Sequence, residues 1–230
     1  MVYITGDKHR NFSIIYNFCQ YISTNVNDVL IILGDAGINY YGDPHDKKLK
    51  NELSKLPITL FCIHGNHEMR PESICSYKES EYFKGTVYRE DAYQNLIFAK
   101  DGEIYDINEK RCLTIGGANS IDKMIRLINR WGWWADEQPS DVTKCQVERR
   151  LNTDKWHVDL VLSHTCPYKY MPVEAFLPGF DQSQVSNDTE EWLDSIENKL
   201  HYSKWYCGHF HIEKDIQKII FLYNSILAFE

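Results

Sequence analysis

What this chain lacks narrows its function before any motif is considered. Its seven cysteines stand singly, with no Cys-x-x-Cys pair, and several fall inside apolar strand patterns. That excludes a disulfide framework and a zinc-thiolate cluster, and it fits free thiols in a reducing cytoplasm. Positive charge is scarce: 25 Lys and Arg against 33 Asp and Glu leave a net charge of −8. This balance excludes a protein held to long duplex nucleic acid by phosphate contacts, although a pocket that holds cations can still admit a nucleotide. No apolar run approaches the roughly 20 residues that span a bilayer. The opening Met-Val-Tyr-Ile-Thr-Gly-Asp reads as a strand and carries no basic leader. The expectation is therefore a cytoplasmic protein with no membrane partner. Repeats, low-complexity segments and long linkers are absent too, so the 230 residues read as a single domain over 1–230.

What is present is a series of short apolar strands, each ending in polar residues. Val2 to Thr5 runs into Gly6-Asp7-Lys8-His9, and Val29 to Leu33 into Gly34-Asp35. Ile58 to Ile63 leads to His64-Gly65-Asn66-His67-Glu68, Val158 to Leu162 to Ser163-His164, and Trp205 to Cys207 to Gly208-His209-Phe210-His211. Helical spacing follows the first strand through Ile14, Ile15, Phe18, Tyr21 and Ile22, and charged helices are predicted over about 46–56 and 187–200. A further helix starts at Pro139-Ser140-Asp141 and runs to about Leu151. Between them, Thr86 to Tyr88, Asn95 to Phe98, Glu103 to Tyr105 and Arg111 to Ile115 suggest antiparallel hairpins. The pattern is that of an α/β chain with mixed sheets.

In open α/β sheets ligands sit beyond the carboxyl ends of the strands. Besides His64, five of the nine histidines (His9, His67, His164, His209 and His211) fall at these five tips, far from a random scatter. Taken alone, Asp35 reads as a turn or helix-cap aspartate. Its repetition by other metal-competent residues argues instead for a shared cation site, since a buried carboxylate needs a positive partner. In extended backbone Asp7 and His9, or His209 and His211, would each aim two side chains at one place, whereas adjacent Asn66 and His67 would point apart. The donors are imidazole, carboxylate and amide oxygen, with no thiolate. This set suits divalent transition metals, manganese foremost, with iron, zinc or nickel also suited. Seven candidates (Asp7, His9, Asp35, Asn66, His164, His209 and His211) are too many for one tetrahedral ion. They are about right for two ions sharing a carboxylate.

In this order the five motifs resemble those of the calcineurin-like metallophosphoesterase superfamily, and the resemblance spans the chain. It implies a four-layer α/β/β/α sandwich of two mixed sheets. It implies one ion on Asp7, His9, Asp35 and His211 and a second on Asp35, Asn66, His164 and His209. A metal-bridging hydroxide would attack phosphorus, with His67 assisting the leaving group. The implied partner is a phosphate ester, whether small molecule, nucleotide or phosphoprotein, and the reaction that of a phosphatase or phosphodiesterase. Many protein-directed members carry an Asp and an Arg soon after the bridging Asp, whereas this chain reads Ala36-Gly37-Ile38-Asn39-Tyr40. His67 therefore lacks its expected carboxylate, and Asp43 and Glu68 are the nearest in sequence. The competing reading is a non-catalytic protein-interaction scaffold on the same fold.

Residues 117–150 read as a loop-and-helix insertion flanking the site. Within it, Lys123, Arg126 and Arg130 either reach substrate phosphate or line one solvated helix face. Trp131, Trp133 and Trp134 are read as packing a loop rather than stacking a base. His64 is read as a loop or supporting residue, His45, His157 and His201 as surface, and the helix near Glu190 and Glu191 as solvated.

Overall fold

Alternation along the strands sets the architecture, because successive side chains leave a strand on opposite faces. The computed structural model describes residues 1–42, 44–176 and 185–230. The first sheet comprises β1 (Val2–Thr5), β2 (Val29–Ile32), β3 (Thr59–Cys62), β4 (Tyr77–Tyr82), β5 (Gly85–Glu90), β6 (Leu96–Ala99) and β13 (Leu227–Ala228). Its order is β13-β1-β2-β3-β6-β5-β4. The second holds β7 (Ile104–Ile107), β8 (Lys110–Ile115), β9 (Leu160–Ser163), β10 (Lys204–Cys207), β11 (Lys214–Ile216) and β12 (Ile219–Phe221), in the order β11-β12-β10-β9-β8-β7. The central strands of each sheet run parallel and the outer strands antiparallel, so both sheets are mixed.

Every second residue points between the sheets. Ile4, Ile31, Phe61 and Ile97 of the first sheet meet Cys112, Leu160, Leu162 and Tyr206 of the second. The alternate residues Leu30, Ile32, Leu60 and Phe98 cover Ile15 and Cys19 of α1 (Ser13–Ile22) and Leu53 of α2 (Lys47–Leu53). On the far side Leu113, Ile115, Val161 and Trp205 pack on Val147 and Leu151 of α4 (Asp141–Thr153) and on Trp192, Leu193 and Ile196 of α5 (Asp188–Glu197). The result is the four-layer α/β/β/α sandwich of two mixed sheets. A short helix, α3 (Lys123–Asn129), lies in the segment before α4.

Register brings the tips into step. Ile4 pairs with Ile31 and Ile31 with Phe61 across β1, β2 and β3, and Leu162 pairs with Tyr206 across β9 and β10. Asp7, Asp35 and Asn66 thus leave one edge of the first sheet, while His164 and His209 leave the second. Helix α4 starts where expected, with the Ser140 hydroxyl accepting from the Thr143 amide at 3.1 Å. Strand β4, Tyr-Lys-Glu-Ser-Glu-Tyr, carries no apolar alternation because it is a half-exposed edge strand pairing only with β5. Among the described residues no helix is long and apolar enough to cross a membrane.

Candidate metal centre

The tips converge through turns rather than extended chain. His9 (φ 43°), Asp35 (φ 46°), His209 (φ 66°) and His211 (φ 53°) all take left-handed backbone. Each such non-glycine residue costs on the order of 1 kcal/mol, and such strain clusters at functional sites. The expectation that His209 and His211 aim together, based on extended backbone, is corrected accordingly: they face different neighbours. Amides lock the turns to the acids. His67 N donates to Asp35 Oδ1 at 2.8 Å, His209 N to Asp7 Oδ1 at 2.9 Å, and His9 N to the Asp35 carbonyl at 2.8 Å. Two glycines make room. A Cβ on Gly34 (φ 94°) would lie 2.0 Å from His164 Nδ1, and one on Gly208 2.2 Å from Asp7 Oδ1.

Two groups of side chains result. In the first, His211 Nε2 lies 3.2 Å and His9 Nε2 3.7 Å from Asp7 Oδ2, and the two imidazole Nε2 atoms are 2.8 Å apart. Tyr223 stacks on His211 at 4.7 Å. In the second, His164 Nε2 lies 2.8 Å from Asn66 Oδ1, and the His209 ring meets His164 edge-on at 4.9 Å. Asp35 Oδ2 stands between the groups, 3.9 Å from His9 Nδ1 and 3.7 Å from His164 Nε2. The second group is held from behind. His164 Nδ1 donates to the Leu33 carbonyl at 2.8 Å, which leaves Nε2 with a free lone pair, and Asn66 Nδ2 donates to Ser120 Oγ at 2.8 Å, which turns Oδ1 inward.

The electrostatics call for cations. Asp7 and Asp35 are each 1% exposed, and among the described residues neither meets a Lys or Arg within ion-pair distance. Asp7 Oδ2 is buried without a well-directed hydrogen bond. Burial pushes the Asp7 carboxyl up, but the neighbouring His211 and His164 rings outweigh it and the net shift is downward. The Asp7 carboxylate in turn holds His211 above the usual imidazole range. Desolvation pushes His209 down to about 3, so its ring is neutral and its lone pair open near neutral pH. Oxygen and nitrogen donors 2.8–3.9 Å apart have the spacing of neighbouring ligands on one ion. Asp7, His9 and His211, and Asp7, Asp35 and His164, each bring ligand atoms close enough to hold a metal. The residues present fit divalent metal.

His67 lies beside this centre, its Nε2 3.9 Å from Asp35 Oδ2. Its Nδ1 partner is neither expected acid. Glu68 turns away and is fully buried, its carboxyl raised to about 8 by burial, and Asp43 lies outside the described residues. Instead Nδ1 meets Arg126 Nη2. Arg126 is 8% exposed and is held by Asp122, at 2.9 Å from Nε, and by the Gly132 carbonyl, at 2.8 Å from Nη1. Of the three basic residues only Arg126 enters the site. Lys123 lies 4.0 Å over the Trp133 ring, and Arg130 caps α3 in left-handed backbone. Sequence reading missed Ser120, Asp122 and Tyr223, because each is recruited from a loop with no local pattern.

The centre opens into a cavity of about 650 Å³. The three tryptophans lie outside its lining, and His45, His157 and His201 are exposed. His64 is buried with both ring nitrogens unpartnered among the described residues. Glu190 corrects the expectation of a solvated helix. It is 4% exposed, faces the cavity, and accepts from Thr165 Oγ1 at 2.7 Å, because α5 turns that face toward β9.

Compared with curated proteins, the chain gives no match. A family model does match: calcineurin-like phosphoesterase, over residues 1–213. With that match spanning all five strand tips, the chain belongs to the calcineurin-like phosphoesterase family, whose members carry out metal-dependent phosphoester hydrolysis.

Proposed function

We propose that this chain hydrolyses phosphate esters at a centre of two divalent transition metals, with manganese the first choice and iron, zinc or nickel as alternatives. The observation that carries this reading is the pair of buried carboxylates, Asp7 and Asp35, met by imidazoles rather than by Lys or Arg, with Asp35 on the floor of a cavity. Asp7, His9, Asp35 and His211 would hold one ion and Asp35, Asn66, His164 and His209 the other. Bound there, the metals supply positive charge for phosphate oxygens and acidify water.

The protein's own groups do the rest. The Leu33 carbonyl and the Ser120 hydroxyl fix the orientation of His164 and Asn66. An arginine can only donate, so its contact with His67 Nδ1 leaves Nε2 as the nitrogen that bears the proton. That N–H can donate a hydrogen bond to the departing oxygen and so assist the leaving group, while the proton itself stays on the neutral imidazole. Arg126 also lines the cavity and offers a guanidinium to a phosphate oxygen. It gives the centre an arginine from α3, where the segment after Asp35 supplies none. We read 1–230 as one domain, cytoplasmic, with 117–150 flanking the site.

Metal analysis of the purified protein, paired with turnover of aryl mono- and diesters in added manganese, tests the proposal. About two ions per chain and hydrolysis of at least one ester are expected. No turnover with manganese, iron, zinc or nickel would contradict it and favour the scaffold reading.

A further inference from the structure

The cavity has two characters. Its floor is the polar centre, but the surface running away from that floor is apolar: Met171, Phe176, Phe210 and Ile212, with Ile121 on the α3 side. Phe210 joins the two. Its ring lies 4.9 Å from His209, nearly perpendicular at 75°, and 5.8 Å from Phe221, which is fully buried in the second sheet. The fold therefore fixes Phe210, and apolar surface begins directly beside a candidate metal ligand. Phe176, half-buried, extends the surface with its ring 6.5 Å from Phe210 and inclined by only 19°.

A phosphate seated over His9, Asp35, Asn66, His209 and His211 must send its organic group along this surface. Met171, Phe176, Phe210 and Ile212 offer no hydrogen-bonding side chain, so a sugar or peptide laid along them would give up water without gaining partners. Asn119, Asp122, Ser186, Asn187 and Glu190 line other parts of the cavity. A flat apolar group would gain contact area, and a cavity of this volume accommodates one of two fused rings beside a phosphate. We propose that this wall is a selective subsite for phosphate esters whose organic group is flat and apolar, an inference that rests on the hydrolase reading of the same site.

Phenyl and 1-naphthyl phosphate provide the test, because their leaving groups are alike in acidity and differ in apolar area. With the manganese-loaded protein, kcat/KM for the naphthyl ester is expected to exceed that for the phenyl ester roughly tenfold, mainly through KM. Phe176→Ala should reduce the preference to within about twofold, with the larger loss falling on the naphthyl ester. Equal kcat/KM in the parent protein, or an undiminished preference in Phe176→Ala, would overturn the subsite. Calorimetry with the non-hydrolysable 1-naphthylmethylphosphonate and methylphosphonate separates the two claims. If neither ester turns over yet the naphthyl phosphonate binds more tightly to the parent than to Phe176→Ala, the hydrolase reading fails and the subsite stands. Equal binding of both phosphonates by the parent protein overturns the subsite whatever the turnover.

Discussion

His164 is fully buried and pinned from behind by a backbone carbonyl, whereas His9 and His211 keep 34% and 45% of their side chains in solvent. The two groups of the candidate centre therefore differ in how much of their geometry the fold fixes in advance. In the buried group, Asn66, His164 and His209 have their orientation set by Ser120, Leu33 and ring packing against one another. In the open group, the acid is buried but its imidazoles are partly exposed, and no backbone carbonyl among the described residues pins them as Leu33 pins His164. Under the proposed assignment the buried group is preorganised as a ligand set, and the open group faces arriving substrate and chelators alike. The same contrast divides stability from function: losing a buried, hydrogen-bonded ring costs folding energy, and losing an exposed one does not.

Replacing one imidazole from each group is the most forceful way to break this comparison. His164→Ala is expected to destabilise the fold by about 2–3 kcal/mol, since it leaves the buried Leu33 carbonyl without its partner and empties a fully buried site, and to abolish turnover. His9→Ala should change stability by no more than about 0.5 kcal/mol while still removing the metal of the open group. Denaturant melts beside metal analysis would show this split, and equal destabilisation by the two variants would erase the distinction. A smaller effect is expected at His67, which borders both groups and belongs to neither. His67→Ala should lower kcat by about 10²–10³ with metal content unchanged. Full turnover in that variant would remove the assigned role. The mildest change sharpens the reading of the α3 side. Arg126→Ala should raise KM for a phosphate ester by roughly tenfold, whereas Lys123→Ala and Arg130→Ala should change it less than about twofold. Equal effects at all three would mean that a diffuse field, rather than one positioned guanidinium, attracts the substrate.

Much of this arrangement is legible in the sequence because it rests on strand periodicity. Buried parallel strands announce themselves as apolar runs, and the Gly-Asp, Gly-Asn, Ser-His or Gly-His that follows each is a local signal that needs no partner to be seen. What resists reading is decided by contacts distant in sequence. Glu190 sits on an acidic helix, and only the packing of α5 against β9 selects it for burial. Arg126 cannot be told from Lys123 or Arg130 by spacing, because Asp122, Gly132 and His67 choose it in three dimensions. The left-handed tips of His9, Asp35, His209 and His211 are likewise invisible, since contacts distant in sequence hold them, as amide hydrogen bonds do at His9, Asp35 and His209. β4 hides because an edge strand needs only backbone pairing.

Under the proposed assignment Asp35, rather than Asp7, is the carboxylate shared by both ions, although Asp7 also brings a ligand atom close to Asp35 and His164. Asp35 Oδ2 approaches His9 from one group and His164 from the other, while the imidazoles nearest Asp7 Oδ2 are those of the open group. The most direct measurement is metal stoichiometry in Asp35→Asn beside Asp7→Asn, two near-isosteric changes that remove charge without removing the side chain. Asp35→Asn is expected to lose both ions together, whereas Asp7→Asn is expected to keep the ion of the buried group. An Asp35→Asn protein that retains one full equivalent of metal would contradict that assignment.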